Sequence, residues 1–86
     1  MYEDIFLKRY PHLDLHGYDR DYARMLTNDF IRDNKELNNE IVVIIHGHGR
    51  GIVKNTVHET LKDNKDVLSY KTNNFNDGET IVYIKK

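Results

Sequence analysis

Residues 41–51 read Ile41-Val42-Val43-Ile44-Ile45-His46-Gly47-His48-Gly49-Arg50-Gly51, and this stretch decides the fold. Five β-branched residues in succession suit a strand that is covered on both sides and largely buried, as in a parallel sheet. Three alternate glycines cannot continue regular structure, so the strand ends at Ile45 and a loop follows. A helix is expected from about Ile52 to Asp63, because Val53, Val57 and Leu61 recur every four residues and form one apolar stripe.

Upstream, His12-Leu13-Asp14-Leu15-His16 alternates polar and apolar residues, the period of a half-buried strand. Gly17 and Tyr18 make a turn, and Asp19 or Asp21 serves as the N-cap of a helix running to about Asn34. Its apolar positions Tyr22, Ala23, Leu26, Phe30 and Ile31 form a second buried stripe, and residues 35–40 form a polar connection. Pro11 ends a short arm over residues 1–11, leaving 12–86 as the domain. Downstream, residues 67–71 and 80–84 read as two strands, with the turn-forming residues Asn73 to Gly78 between them as an antiparallel hairpin. The order is β-α-β-α-β-β. Right-handed crossovers then make the first three strands parallel partners, with two helices covering one face of a two-layer α/β sandwich.

The chain has 86 residues, enough for one domain and too few for two. Its longest apolar run has five residues, Ile41 to Ile45, far short of the roughly 20 that a membrane helix needs, so no membrane partner is expected. The first nine residues lack a secretory signal pattern, and there is no cysteine, which suits a reducing cytoplasm. The net charge of −1 argues against binding a polyanion through bulk charge. The local distribution differs from the total. From Ile41 to His58 there is no Asp or Glu, yet His46, His48, Arg50, Lys54 and His58 lie there, a local basic patch.

Leu15-His16-Gly17 and Ile45-His46-Gly47 repeat the pattern apolar-His-Gly thirty residues apart, about one β-α-β unit. Each His-Gly falls at the carboxyl end of a predicted strand, where ligands bind in open α/β sheets. Asp14, two residues before His16, would share its side of the strand and so complete an acid–base group. The loop Gly47-His48-Gly49-Arg50-Gly51 opens into a helix N-terminus, where free N–H groups attract phosphate, with Arg50 as a bidentate partner and Lys54 as a point charge. It lacks Gly-Lys-Ser/Thr, so it is not a triphosphate loop of the Walker type. Plainer roles exist for the same residues. His16 could be a hydrogen-bonded structural residue, Asp14 a cap, and the glycines a means of turning the chain through positive φ.

Leu13-Asp14-Leu15-His16-Gly17 resembles the LDLHG signature of Smr (small MutS-related) domains, and residues 45–51 resemble their second signature, HGxGxG. The tail from Asp77 to Ile84 is similar to the Gly-x-Thr-x-Val close of the same domain. The resemblance covers roughly residues 12–86. It implies a fold similar to the C-terminal domain of translation initiation factor three, a mixed four-stranded sheet with the last strand antiparallel and inserted between the second and third. It also implies an endonuclease that nicks or cleaves DNA or RNA, some members acting on messenger RNA at stalled ribosomes. Carried over by motif, Asp14 and His16 become the catalytic pair, while His46, Gly47, Gly49 and Gly51 become the phosphate loop. His48 departs from the family, which more often has Lys or Arg there.

The leading expectation is a phosphodiesterase acting on nucleic acid, with Asp14, His16 and His46 as catalytic residues and Gly47, His48, Gly49, Arg50, Gly51 and Lys54 as phosphate contacts. RNA is the easier substrate because its own 2′-hydroxyl can attack. An alternative is a non-catalytic module that grips a nucleic-acid backbone or a ribosomal surface with the same loop. A third is a metal hydrolase using Asp14, His16, His46 and His48 as ligands. Whether a divalent ion such as Mg is needed as a cofactor stays open.

Overall fold

The computed structural model describes residues 9–49 and 51–86. Most of the arm expected over residues 1–11 and the phosphate contact expected of Arg50 lie outside the described residues. The elements are β1 (His12–Asp14), α1 (Arg20–Glu36), β2 (Ile41–Ile45), α2 (Ile52–Asp63), β3 (Val67–Asn73) and β4 (Asn76–Ile84). The spatial strand order is β1-β2-β4-β3, with β1 parallel to β2 and β4 antiparallel to both of its neighbours. The mixed sheet with an inserted last strand is therefore as the resemblance implied. The parallel pairing of the first three strands is corrected at β3, which β4 separates from β2.

Both helices lie on one face. Ala23 and Ile31 of α1, Val57 and Leu61 of α2, and Val42, Ile44, Val82 and Ile84 of the sheet close into one buried cluster. Burying each large aliphatic side chain there stabilises the fold by about 1.5–3 kcal/mol. The other face carries a smaller cluster of Val43 and Ile81, against which Tyr10, Ile41 and Tyr83 pack. The run of five β-branched residues is buried because β2 sits between two strands and between two apolar layers.

Asp19 caps α1, its side chain accepting the Tyr22 N–H at 2.9 Å. The helix continues past Asn34 to Glu36. Asn34 is buried and bonds the Phe30 carbonyl, and Asn38 at φ 63° turns the chain out in the manner of a glycine C-cap. The buried line of α1 runs through Ala23, Thr27, Ile31 and Asn34. Leu26 and Phe30 flank it and still pack on the core, whereas Tyr22, expected inside, is exposed and meets Tyr18 edge to face at 5.0 Å.

The hairpin is longer than its residues suggested. Both strands continue into the stretch Asn73 to Gly78, expected as turn, and only Asn74 and Phe75 are left to connect them. Asn73 Oδ1 takes the Phe75 N–H at 3.0 Å, so side-chain chemistry tightens the reversal. As a result Asp77, Gly78 and Glu79 run alongside the end of β2, with Glu79 opposite Ile45.

Candidate active site at the carboxyl ends of the first two strands

β1 and β2 pair in register through Asp14 and Ile45, and the Leu15 N–H extends the ladder to the Ile45 carbonyl at 2.7 Å. The two His-Gly pairs thus leave the sheet side by side. After β1 the chain reverses over Leu15–Tyr18, closed by the Tyr18 N–H on the Leu15 carbonyl at 3.2 Å. Gly17 takes the third position at φ 83°, which a β-carbon would strain.

That turn, rather than strand alternation, brings Asp14 and His16 together. β1 ends at Asp14, and His16 lies in the turn beyond it. Asp14 Oδ1 accepts the His16 backbone N–H at 3.1 Å and lies 2.6 Å from His16 Nδ1. A carboxylate only accepts, so Nδ1 carries the hydrogen and Nε2 is left facing outward on a side chain 73% exposed. The hydrogen bonds from His16 hold the Asp14 carboxyl below its usual range, so Asp14 is ionised.

The second His-Gly is built differently. His46 is 5% exposed, with Nε2 at 2.8 Å from Thr80 Oγ1 and Nδ1 at 3.2 Å from the Gly47 carbonyl. Burial pushes its pKa down, with Lys54 and His48 adding repulsion that the Gly47 carbonyl and Asp77 only partly oppose. Thr80 Oγ1 also lies 2.8 Å from His58 Nε2. Burial lowers the His58 pKa as well, helped by His46 and Lys54, and its ring packs at 5.0 Å on Tyr70. Neither His58 nor Thr80 stood among the expected site residues. His58 looked like one more cation, and Thr80 belonged to the Gly-x-Thr-x-Val close, to which no role at the site was attached.

The Gly loop is tied to β4. The N–H groups of His46 and Gly47 both donate to the Gly78 carbonyl, at 2.9 and 3.0 Å. His48 Nε2 lies 2.8 Å from Asp77 Oδ1, and its ring occupies the space above Gly78, where a β-carbon would come within 2.9 Å of His48 Cε1. Gly51 precedes α2 at φ 82° and offers no side-chain cap, and the first turn holds no acid. Among the described residues, the helix end thus keeps its unpaired N–H groups and its positive dipole end.

These parts enclose an open hollow of about 310 Å³ lined by His16, Gly17, the described loop residues and the first turn of α2 including Lys54. Of the expected site residues, Asp14 and His16 are joined directly, and Gly47, Gly49, Gly51 and Lys54 face one space with His16. His46 forms part of the wall and has both nitrogens engaged within the protein. The local basic patch shrinks accordingly. His46 and His58 are held toward neutrality, His48 faces Asp77, and Lys54 is the remaining cation of the patch among the described residues. Nor, among the described residues, do three His, Asp or Glu side chains gather as a metal cage, so the set Asp14, His16, His46 and His48 is not assembled as one.

Comparison with known proteins agrees with this architecture. The sequence model of the Smr domain matches residues 13–85. Endonuclease MutS2 of Clostridium acetobutylicum is 33% identical over 72 residues, covering 84% of this chain and 9% of that protein. Endonuclease MutS2 of Staphylococcus saprophyticus is 37% identical over 76 residues, 85% of this chain and 10% of that protein. The chain therefore spans only about a tenth of the length of these relatives. Among solved structures, the Smr domain of Thermus thermophilus MutS2 superposes with a TM-score of 0.85 at 22% identity, over 88% of this chain and 99% of that one. YdaL, a stand-alone small MutS-related protein from Escherichia coli, gives 0.83 at 28% identity, over 90% of this chain and 68% of that one.

Proposed function

Since the chain belongs to the Smr domain family, we propose that it is a nucleic-acid endonuclease module that cleaves phosphodiester bonds at the hollow between the two His-Gly turns. The observation that carries this reading is the Asp14–His16 pair, 2.6 Å apart, with His16 Nε2 turned outward beside an uncapped helix N-terminus. The relatives named endonuclease MutS2 support the reaction class.

The ionised Asp14 fixes His16 as the Nδ1–H tautomer, so the neutral imidazole presents a bare Nε2 to the hollow. That nitrogen takes the proton of the attacking hydroxyl and, once protonated, returns a proton to the leaving oxygen. Asp14 stabilises the imidazolium formed in between. The scissile or neighbouring phosphate is held by the N–H groups of the loop and of the first turn of α2, with Lys54 and Arg50 offsetting charge as it develops. On RNA the 2′-hydroxyl is the nucleophile; on DNA a water molecule must be bound and oriented as well. The site has to supply less on RNA.

Labelled single- and double-stranded DNA and RNA, incubated with the wild type and His16→Ala in the presence and absence of EDTA, test the reading. Loss of the acid–base group lowers cleavage by about 10²-fold or more while binding stays near wild type. A folded His16→Ala protein that cleaves as well as the wild type removes His16 from the mechanism.

A further inference from the structure

Beneath the glycine loop, three side chains form a series of hydrogen bonds whose direction is forced. His46 Nδ1 faces the Gly47 carbonyl at 3.2 Å, and a carbonyl only accepts, so Nδ1 carries the hydrogen. In neutral His46 the other nitrogen, Nε2, is then bare, and the Thr80 hydroxyl 2.8 Å away donates to it. That hydroxyl has one hydrogen. Toward His58 Nε2, also at 2.8 Å, it can only accept, so His58 carries its hydrogen on Nε2. Thr80 is fully buried, and the Tyr70 ring packs against His58 at 5.0 Å.

We propose that Thr80 and His58 are positioning residues, and that the series His58 to Thr80 to His46 to Gly47 turns the first free N–H of the glycine loop toward the ligand. The reason lies in the peptide unit. In a planar trans peptide the carbonyl of one residue and the N–H of the next point in opposite directions. The Gly47 carbonyl is held on the His46 side, so the His48 N–H is directed away from it. The two preceding N–H groups, of His46 and Gly47, are already taken by the Gly78 carbonyl. Among the described residues, the backbone N–H groups of His48 and Gly49 have no protein acceptor. His48 thus supplies the first donor a phosphate can use, through its backbone, while its side chain is turned to Asp77. The chemistry also explains why His46 is a histidine while almost fully enclosed. A side chain at this position has to accept from Thr80 with one atom and donate to a carbonyl with another, and neutral imidazole does both across a rigid ring.

The ligand part of this inference rests on the loop being a phosphate seat; the series itself does not. Imidazole ¹⁵N spectra above neutral pH give the tautomers directly. His46 is expected as Nδ1–H and His58 as Nε2–H, and the opposite form of either overturns the series. Thr80→Val keeps the shape and removes both hydroxyl bonds. It should leave the His58 ring as a tautomer mixture, move the His48 backbone amide resonance, and weaken binding of a labelled single-stranded oligonucleotide about tenfold, the effect of one hydrogen bond to a charged group. Thr80→Ser should restore all three. A folded Thr80→Val protein with the wild-type His48 amide and wild-type binding overturns the proposal. If that variant does not fold, His58→Phe keeps a ring against Tyr70, removes only the donor to Thr80, and is read in the same way. If the wild type binds no oligonucleotide, the nuclease reading falls alone, and the tautomers with the His48 amide still decide the series.

Discussion

At the scale of single residues, two kinds of histidine share one sheet edge. His16 is exposed and ordered by one carboxylate, whereas His46 and His58 are enclosed and held neutral. Asp14→Asn tests the first kind. An amide no longer enforces the Nδ1–H tautomer, so cleavage should fall by about 10²-fold or more. The melting temperature should fall by no more than roughly 4–8 °C, because both partners are exposed and such pairs contribute at most about 1 kcal/mol. A large loss of stability with normal turnover would make the pair structural. The second kind predicts a pH dependence of stability. Unfolded imidazoles protonate near pH 6.5, while burial keeps the folded pKa values of His46 and His58 lower. Between those values the unfolded chain binds more protons, so stability is fully present above about pH 6.5 and is lost as pH falls through the folded values. Melting curves between neutral and mildly acidic pH check this, and His58→Gln should flatten the dependence. Asp14 and His16 were legible in the sequence because the pair is local, two residues apart. Thr80 and His58 were not, because 34 and 22 residues separate them from the partners they meet.

At the scale of elements, two glycines of one loop do different work, one at its phosphate-facing stretch and one at the turn into α2. Gly51 precedes α2 in the left-handed region, so Gly51→Ala should cost about 1–2 kcal/mol of strain. For a domain this size that lowers the melting temperature by roughly 4–8 °C per kcal/mol. Gly49 has no positive φ, and a β-carbon there meets nothing within 4 Å. Gly49→Ala should therefore leave stability close to wild type while hindering backbone approach to a phosphate. Oligonucleotide binding and melting temperature on these two variants separate the cradle from the turn; a Gly49→Ala protein that binds normally would exclude close approach at that position. The longer β4 belongs to this scale too. Asn, Asp and Gly from Asn73 to Gly78 carry turn propensity, and pairing with β2 and β3 overrides it. That extension brings the Gly78 carbonyl to the loop and Asp77 to His48.

At the scale of the whole molecule, a net charge of −1 leaves the proposed nucleic-acid binding to a few placed groups. Replacing Arg50 and Lys54 together with Gln should weaken binding evenly across sequences. It should also flatten the slope of log affinity against log salt by up to about two units, one for each phosphate that is no longer neutralised. An unchanged slope would locate the grip on the backbone elsewhere, for instance at Lys85 and Lys86. Local patterns were enough to determine the six elements, the apolar stripes of both helices, the buried β2 and the Asp14-x-His16 pair. Each rests on a periodicity or an interaction within a few residues, which composition and spacing encode directly. Local patterns did not reach which strand lies beside β2, which only the family resemblance implied, and tertiary structure decided how far the hairpin extends and which histidines are withdrawn from water. The first two depend on backbone pairing between distant segments. The third depends on burial: His46, His48 and His58 look alike along the chain, and only packing withdraws two of them from water and sets the third beside Asp77.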